Sequence, residues 1–136
     1  MIIADTSGLL AFFNRTEPSH AAVRERIESA PEPLVVSPYV VAELDYLVAT
    51  RIGVDAELAV LAELASGAYE LADFGPDDLA TARSLVERYR DQQIGVADAS
   101  IVVLADRWRS RDILTLDHRH FGVVRPLTGG RFKLLP

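Results

Sequence analysis

The sequence predicts an α/β fold in which helices cover both faces of a mostly parallel central sheet. Short apolar runs alternate along the chain with longer stretches of helical periodicity. Helices between successive strands form right-handed crossovers, which make the strands parallel and bury them on both faces. A chain of 136 residues is long enough for one core and too short for two. We therefore expect a single domain over residues 1–136.

The first half of the chain is predicted to contain two strands and four helices. Residues 1–4 and 34–36 are short apolar runs typical of buried strands. Ser37 as N-cap, with Pro38 at the first helical position, begins the third helix. Asp55 is predicted to cap the fourth, and a glycine follows each of these two helices. The four helices are predicted over residues 6–14, 19–29, 38–52 and 55–66.

The second half of the chain repeats this alternation. An apolar run at 69–72 predicts a third strand, and a Gly-Pro-Asp-Asp sequence begins a helix over 76–90. A loop containing glutamine and glycine separates it from a helix over 96–109. Residues 112–116 predict a fourth strand. The tail offers one or two more strands, at 123–127 and 132–135.

The composition excludes several kinds of protein and site. Because the chain has no cysteine, disulfides, cysteine-ligated zinc, iron–sulfur clusters and a thiol nucleophile are excluded. No apolar run approaches the roughly 18–20 residues of a membrane span. The first residues lack the basic start and long apolar stretch of a signal peptide. We therefore expect a cytoplasmic protein without a membrane partner.

Charge is distributed unevenly along the chain. The net charge is −6, yet residues 107–136 carry six arginines and one lysine against two aspartates, whereas residues 1–106 carry seven arginines against eighteen acids. This distribution favours an acidic centre with a basic rim, a pattern suited to nucleic acid. Ordinary surface solvation is the alternative, and genome base composition is a second explanation for the excess of arginine over lysine.

Two aspartates lie where strands are predicted to end. Asp5 follows the first strand and Asp117 follows the fourth. Ligands of open α/β sheets bind at the carboxyl ends of the strands, so both positions suit a functional site. The alternative role is structural: Asp5 as the N-cap of the next helix and Asp117 as a cap or turn residue.

Two further acids lie in the apolar stripes of predicted helices. Glu43 is three residues after Val40 and four before Leu47, and Asp98 shares a face with Ile101. Buried carboxylates are costly unless they are paired, protonated or bound to a metal. The alternatives are an ion pair with an arginine for Glu43 and stabilisation by the helix dipole for Asp98.

If Asp5, Glu43, Asp98 and Asp117 converge on one cleft, their mutual repulsion requires cations. Oxygen ligands without cysteine or histidine select Mg²⁺ or Mn²⁺. Two such ions about 3.5–4 Å apart stabilise both the attacking and the leaving oxygen in phosphoryl transfer. The four acids therefore predict a metal-dependent enzyme that acts on phosphate esters.

Four stretches around these acids resemble the motifs of PIN-domain ribonucleases, and within them the VapC-type toxins of bacterial toxin–antitoxin pairs. The stretches occur in family order, at family-like spacing, over essentially the whole chain. They are IIADTS at residues 2–7, SPYVVAEL at 37–44, VADASI at 96–101 and LTLDHRHF at 114–121.

The resemblance implies a PIN-like three-layer α/β/α sandwich and a Mg²⁺- or Mn²⁺-dependent endoribonuclease, a hydrolase that cleaves structured RNA such as tRNA or rRNA. It also implies a VapB-type antitoxin as partner and a homodimer. His118 and His120 could suggest a pair of metal ligands, but family members commonly carry a His-Phe sequence at this place as packing. The site residues it implies are Asp5, Glu43, Asp98 and Asp117 as catalytic and metal-binding acids, with Thr6 or Ser7, and Thr115, as neighbouring polar groups.

Two surfaces are candidates for contact with partners. Arginines late in the chain are candidates for RNA contact, because a guanidinium fork binds phosphate well. Phe12 and Phe13 give the first helix more apolar surface than one buried face requires. We expect them to line a groove for an antitoxin segment that delivers an Arg or Lys to the acids; packing in the core or in a dimer interface is the alternative. The candidate arginines are Arg107, Arg109, Arg111, Arg119 and Arg125.

Three other functions fit the residues less well. A phosphatase of the haloacid-dehalogenase type needs a second acid two residues after the first, where this chain has Ser7. A response-regulator receiver needs a lysine at a late strand end, and the only lysine is Lys133, almost at the terminus. A non-catalytic PIN module that binds RNA or a partner is the remaining alternative, although the intact acids argue against it.

Overall fold

The computed structural model describes all 136 residues. Its single sheet has five strands, and every neighbouring pair is parallel. The strands are β1 Ile3–Ala4, β2 Val35–Val36, β3 Glu70–Leu71, β4 Asp112–Leu114 and β5 Lys133–Leu135. They lie in the order β3-β2-β1-β4-β5. The predicted parallel α/β sheet is confirmed.

Helices connect the strands. They are α1 Thr6–Phe13, α2 His20–Ser29, α3 Pro38–Arg51, α4 Val54–Leu64, α5 Pro76–Arg88, α6 Val96–Arg107 and α7 His118–Phe121, with one 3-10 turn at Arg90–Gln92. The strand order reverses at β1, because β2 and β3 extend the sheet to one side and β4 and β5 to the other. With right-handed crossovers, this reversal places helices on both faces and gives the predicted three layers. None of the helices is both long and apolar enough to cross a membrane.

Several local predictions were wrong. The N-cap of α4 is Gly53, with φ of +142°, and Asp55 lies in the first turn of that helix. Helix α7 was not predicted, and no strand forms at 123–127. The reason is that the N–H groups of Val123 and Val124 both donate to the carbonyl oxygen of His120. These two backbone N–H groups are therefore already bonded at the end of α7 and cannot pair with a neighbouring strand.

Helix α1 packs directly against the end of β4. A Cβ atom at Gly8 would lie 2.5 Å from the carbonyl oxygen of Leu114, closer than real Cβ atoms approach a neighbour. The missing side chain at Gly8 therefore allows the first turn of α1 to reach the end of this strand. The result is that the hydroxyls of Ser7 and Thr115 lie 3.2 Å apart.

A buried pair of hydroxyls joins α3 to α6. Ser37 and Ser100 are fully buried, and their Oγ atoms lie 2.6 Å apart. Ser100 donates to the carbonyl oxygen of Ala97, while Ser37 accepts the N–H of Tyr39 as the predicted N-cap. Ser37 must therefore donate its proton to Ser100. This chain of hydrogen bonds fixes the start of α3 against the first turns of α6.

Replacing Ser100 with alanine is expected to destabilise the protein by about 1–3 kcal/mol, because the buried Ser37 hydroxyl loses its acceptor. Urea unfolding measures this loss. Ser84→Ala is the matched control: Ser84 also donates to a helix carbonyl but is exposed, so we expect a change within about 0.5 kcal/mol. Equal stabilities for the two variants would contradict a structural role for the hydroxyl pair.

Candidate active site

Asp5 lies at the carboxyl end of β1 and is buried. Its backbone N–H donates to the carbonyl oxygen of Leu114 at 2.9 Å. Its Oδ2 atom accepts hydrogen bonds from Ser7 Oγ at 2.6 Å and Thr115 Oγ1 at 2.8 Å. Although Asp5 occupies the N-cap position of α1, its side chain does not cap that helix. The structural alternative for Asp5 is therefore wrong.

The two hydroxyls beside Asp5 are themselves held by the backbone. Ser7 Oγ accepts the N–H of Leu116 at 2.9 Å, and Thr115 Oγ1 accepts the N–H of Asp117 at 2.9 Å. These donors turn both hydroxyl protons towards Asp5 Oδ2, and no protein group donates to Oδ1. Of the two positions predicted for a hydroxyl near the acids, Ser7 makes this contact. The buried Oγ1 of Thr6 has no hydrogen-bond partner at all.

Asp98 lies in the first turn of α6, with 18% of its side chain exposed. Burial raises its pKa to about 6; the negative charges of Asp5, Asp117 and Glu43 add to this rise, and His120 opposes it. Charges affect a pKa in this way only at short range. The charges of Asp5, Asp117 and Glu43 therefore all act on Asp98, and His120 joins Asp98 to Asp117 directly. Convergence of all four acids on one metal-binding group stays a prediction.

His120 lies between two of the acids. Its Nδ1 atom is 3.0 Å from Asp98 Oδ2 and 3.2 Å from Asp117 Oδ2. Its backbone N–H also donates to Asp117 Oδ1 at 3.0 Å, so Asp117 caps α7 as well as facing the site. The sequence interpretation missed this histidine, because it treated His118 and His120 as packing. The signal that identifies it is its position three residues after an N-cap aspartate, which requires the unpredicted helix α7.

Glu43 lies in the second turn of α3 and is exposed, contrary to the prediction that it belongs to the buried stripe. That stripe consists of Val40, Leu44 and Val48. The predicted alternative of an ion pair is also wrong, because no arginine lies within ion-pair distance of Glu43. Its carboxylate faces solvent while remaining close enough to raise the pKa of Asp98.

No lysine or arginine offsets the charge of these four acids, and His120 is the only basic side chain in ion-pair contact with them. Carboxylate oxygens without thiolates form the donor set that hard divalent cations prefer. No three of the side chains are gathered into one complete ligand set. The cluster thus fits a divalent cation by its chemistry and its uncompensated charge, without a closed shell in this structure.

The candidate arginines are not grouped around the acids. Arg119 lies in α7 beside Asp117, and Arg125 is half-buried, with its backbone N–H on the Tyr89 hydroxyl at 3.1 Å. The other three candidates lie at the far end of α6 or before β4. The expected basic rim therefore exists only in part. The structure instead separates an acidic end from an end that contains Arg107, Arg109 and Arg111.

Phe12 and Phe13 are both half-buried, so neither is a full member of the core. Their ring centroids lie 5.2 Å apart, but they line different grooves. Phe12 lies beside Ile27 and Tyr69. Phe13 lines a mostly apolar groove between α1, α3 and α4, formed by Leu10, Phe13, Asn14, Val48, Ile52, Ala56, Ala59, Val60 and Glu63. An antitoxin groove at these residues remains a prediction.

The model of the PIN domain family matches residues 2–125, a range that contains all four acids. The chain belongs to the PIN-domain family. Within it, the chain is 64% identical over 135 residues to Ribonuclease VapC26 of Mycobacterium tuberculosis, covering 99% of this chain and 100% of that protein. The predicted kinship with VapC ribonucleases is confirmed.

Solved VapC structures share the fold. VapC20 of Mycobacterium tuberculosis, a toxin that cleaves the sarcin–ricin loop, aligns with a TM-score of 0.79 at 21% identity, over 86% of this chain and 90% of that one. VapBC2 of Rickettsia felis, solved with a DNA fragment from its promoter, aligns with a TM-score of 0.72 at 19% identity over 100% of both chains. Both alignments confirm the predicted PIN-like sandwich.

Removing the Asp98 carboxylate is expected to stabilise this VapC chain in the absence of divalent cations. The folded-state pKa of about 6 lies above the unfolded value of about 3.9. The ionised group therefore destabilises the fold above pH 6, and this cost disappears as the pH falls to about 4. In urea unfolding with EDTA at pH 7.5, Asp98→Asn should gain about 1–3 kcal/mol.

The control is Asp106→Asn, at an exposed position of the same helix, for which we expect a change within about 0.5 kcal/mol at either pH. A loss of stability in Asp98→Asn at pH 7.5 would show that the carboxylate is compensated in the folded state. The same result at pH 4 and pH 7.5 would remove burial and charge repulsion as the cause.

Proposed function

We propose that this VapC ribonuclease is a toxin that hydrolyses structured RNA, tRNA or rRNA, at the acid cluster, and that a VapB-type antitoxin neutralises it. The observation that carries the proposal is that Asp5 and Asp117 lie at the carboxyl ends of β1 and β4 and that His120 Nδ1 joins Asp117 to Asp98, whose pKa is raised to about 6 by burial and by the charges of the other three acids. Such a cluster is costly to the fold and is typical of a functional site. The loop cleaved by VapC20 supports a folded RNA as the substrate.

PIN ribonucleases depend on divalent metal ions, and we assign Mg²⁺ or Mn²⁺ here because the donors are all carboxylate oxygens. Asp5, Glu43, Asp98 and Asp117 would hold the metal. When bound, it supplies Lewis acidity, which stabilises charge on the phosphate and makes water a better nucleophile. With water as nucleophile, the chain needs no thiol or serine nucleophile of its own.

The chain itself contributes the orientation of the acids. Ser7 and Thr115 fix one oxygen of Asp5 and leave the other without a protein partner. His120 bridges Asp98 and Asp117 and so limits the movement of both side chains. Glu43 stands on the solvent side of the cluster. Preorganisation of this kind removes the cost of ordering these groups when substrate binds.

The proposed inhibitor is a cationic side chain of the antitoxin placed among the acids. A guanidinium fork binds two carboxylate oxygens at once and keeps its charge at cellular pH. A paired buried charge adds little net affinity, so apolar contacts must supply the rest, and the groove containing Phe13 offers them. Solved neighbours that are toxin–antitoxin complexes support this partner. The homodimer and the cytoplasmic location remain predictions.

Asp5→Asn is expected to abolish RNA cleavage, because it removes the buried carboxylate that Ser7 and Thr115 orient within the cluster. The measurement is mapping of new RNA ends after incubation of total RNA with Mg²⁺ or Mn²⁺, and EDTA should stop the wild-type reaction. Asp112→Asn, at the opposite end of β4, is the control and should remain active. Wild-type protein that binds RNA but produces no metal-dependent ends would instead establish the non-catalytic PIN module.

Thr115→Val removes the hydroxyl that holds Asp5 while keeping the shape of the side chain. We expect cleavage to fall about 10- to 100-fold, the usual effect of losing a group that orients a metal ligand. Thr115→Ser restores the hydroxyl and should recover most of the activity. Cleavage rates at saturating Mg²⁺ provide the readout, and equal rates for the valine and serine variants would show that the hydroxyl does not matter.

A further inference from the structure

An open groove lies at the end of the molecule opposite the four acids. Asp5 and Asp117 follow the carboxyl ends of β1 and β4, whereas Arg111 precedes the amino end of β4. Six residue steps of nearly extended chain lead from Arg111 to Asp117, roughly 15 to 20 Å at about 3.3 Å per step. We call this surface the arginine groove. Its polar and charged lining consists of Arg107, Arg109, Arg111, Ser110 and Thr128, with Asp106 as its one acid.

The arginine groove carries positive charge that the protein does not neutralise. Arg109 and Arg111 have no carboxylate within ion-pair distance, and neither do Arg131 and Lys133, which lie next to them at the start of β5. Only Arg107 is paired, at 2.8 Å from a carboxylate of α5. Four of the seven cations of residues 107–136 therefore lie at this end without an ion pair and are free to bind an external anion, whereas Arg119 and Arg125 lie elsewhere.

The guanidinium of Arg111 is held in place before any ligand arrives. Its two Nη atoms lie 3.4 Å from the carbonyl oxygen of Arg131 and 3.5 Å from the hydroxyl of Thr128. It packs over Gly130, where a Cβ atom would overlap Nη1. These contacts use two of its five N–H donors. The other three remain for a ligand, and the contacts already made reduce the side-chain entropy that binding would cost.

Arg109 occupies a backbone position that favours glycine. Its φ is +50°. Its backbone N–H donates to the carbonyl oxygen of Asp106, and the N–H of Ser110 donates to the carbonyl oxygen of Ala105. This is the Schellman arrangement at the end of α6, in which glycine is the usual residue because it has no Cβ atom. Here the fold tolerates an arginine whose side chain forms no ion pair within the protein. The Arg109 side chain therefore has no ion-pair partner within the protein and is available to an external ligand.

We infer that the arginine groove is a second docking surface for the phosphate backbone of the RNA substrate, remote from the acids. The inference rests on the proposed ribonuclease function. Guanidinium forks match phosphate oxygens, and a protein of net charge −6 attracts a polyanion only where its cations are concentrated. Pro126 and Leu127 are the main apolar side chains of the lining, whereas the centre of a protein interface is usually more apolar.

The distance between the two ends of the molecule sets the size of the RNA. An RNA that reaches both surfaces spans at least roughly 15 to 20 Å, which is several base-pair steps of an A-form helix. A shorter RNA can enter the acid cluster without contacting the groove. The arginine groove therefore favours large folded RNA over fragments, and it does so without reading the sequence, since phosphate contacts position an RNA and do not specify it.

The test is RNA binding as a function of salt, with each protein carrying Asp5→Asn so that the RNA stays intact. The variant is Arg109→Gly with Arg111→Ala, and the probes are a hairpin RNA of about 30 nucleotides and a single strand of about four. For the hairpin, the slope of log K against log[salt] should fall by about 1.5, since each lost phosphate contact contributes about 0.7–0.9. Affinity for the short strand should not change.

Two controls separate this effect from folding and from general charge. Arg83→Ala removes one positive charge from the exposed face of α5 and should leave the hairpin slope unchanged. Arg109→Gly alone should raise the urea midpoint, because glycine relieves the positive φ, yet lower hairpin affinity several-fold. Loss of binding in a variant that is more stable than wild type cannot come from misfolding.

Three outcomes would overturn the inference. They are an unchanged hairpin slope, an equal loss of affinity for the short strand, and a change of oligomeric state in the double variant, which would make the groove a protein interface. A failure of the proposed function has a different signature: protein with Asp5 intact would cut no RNA in the presence of Mg²⁺ or Mn²⁺. Metal-dependent cleavage with an unchanged hairpin slope would remove only the second surface.

Discussion

The pairing of the Asp5 carboxylate with the hydroxyls of Ser7 and Thr115 is the contact on which the acidic end of the molecule depends. It joins the end of β1, the first turn of α1 and the end of β4, and each hydroxyl is oriented by a backbone N–H. It requires α1 to approach β4 at the distance that Gly8 permits. A larger residue at that position would move Ser7 away from Asp5. The geometry of the site is therefore a consequence of backbone packing.

This arrangement lowers the stability of the folded state, because it buries a carboxylate beside other negative charges. Asp98 is buried beside other carboxylates, its pKa is raised to about 6, and His120 compensates for only part of the charge. A fold selected for stability alone would replace Asp98 by a neutral residue. A divalent cation bound among these carboxylates would relieve their repulsion, and this relief would add to its affinity. Stability without metal and affinity for metal are thus opposed.

The sequence predicted the sheet, and the positions of Asp5 and Asp117 at strand ends, because these depend on local signals. Apolar runs identify buried strands, and strand ends place Asp5 and Asp117 at one edge. The sequence did not predict that Glu43 is exposed. Helical periodicity shows which residues share one face of a helix, but not whether another element covers that face. His120 was missed because its contact needs α7, a helix of four residues that is too short to show periodicity. The bond from Thr115 to Asp5 joins residues 110 positions apart, a separation that no local pattern records.

The composition of the chain favoured a basic rim around the acids. The structure instead separates the two kinds of charge along the strands. Residues 107–136 carry more cations than acids. Strand β4 lies within this segment, so the residues directly before it and directly after it lie at opposite ends of the strand. Asp117 therefore lies with the acids, while Arg109 and Arg111 lie at the far end. An acidic cleft alone repels RNA, and nearby arginines would compete with metal for the carboxylates. Cations a strand's length away, as Arg109 and Arg111 are, would attract the polyanion without competing for the carboxylates, whereas Arg119 in α7 lies near Asp117 and would not have this advantage.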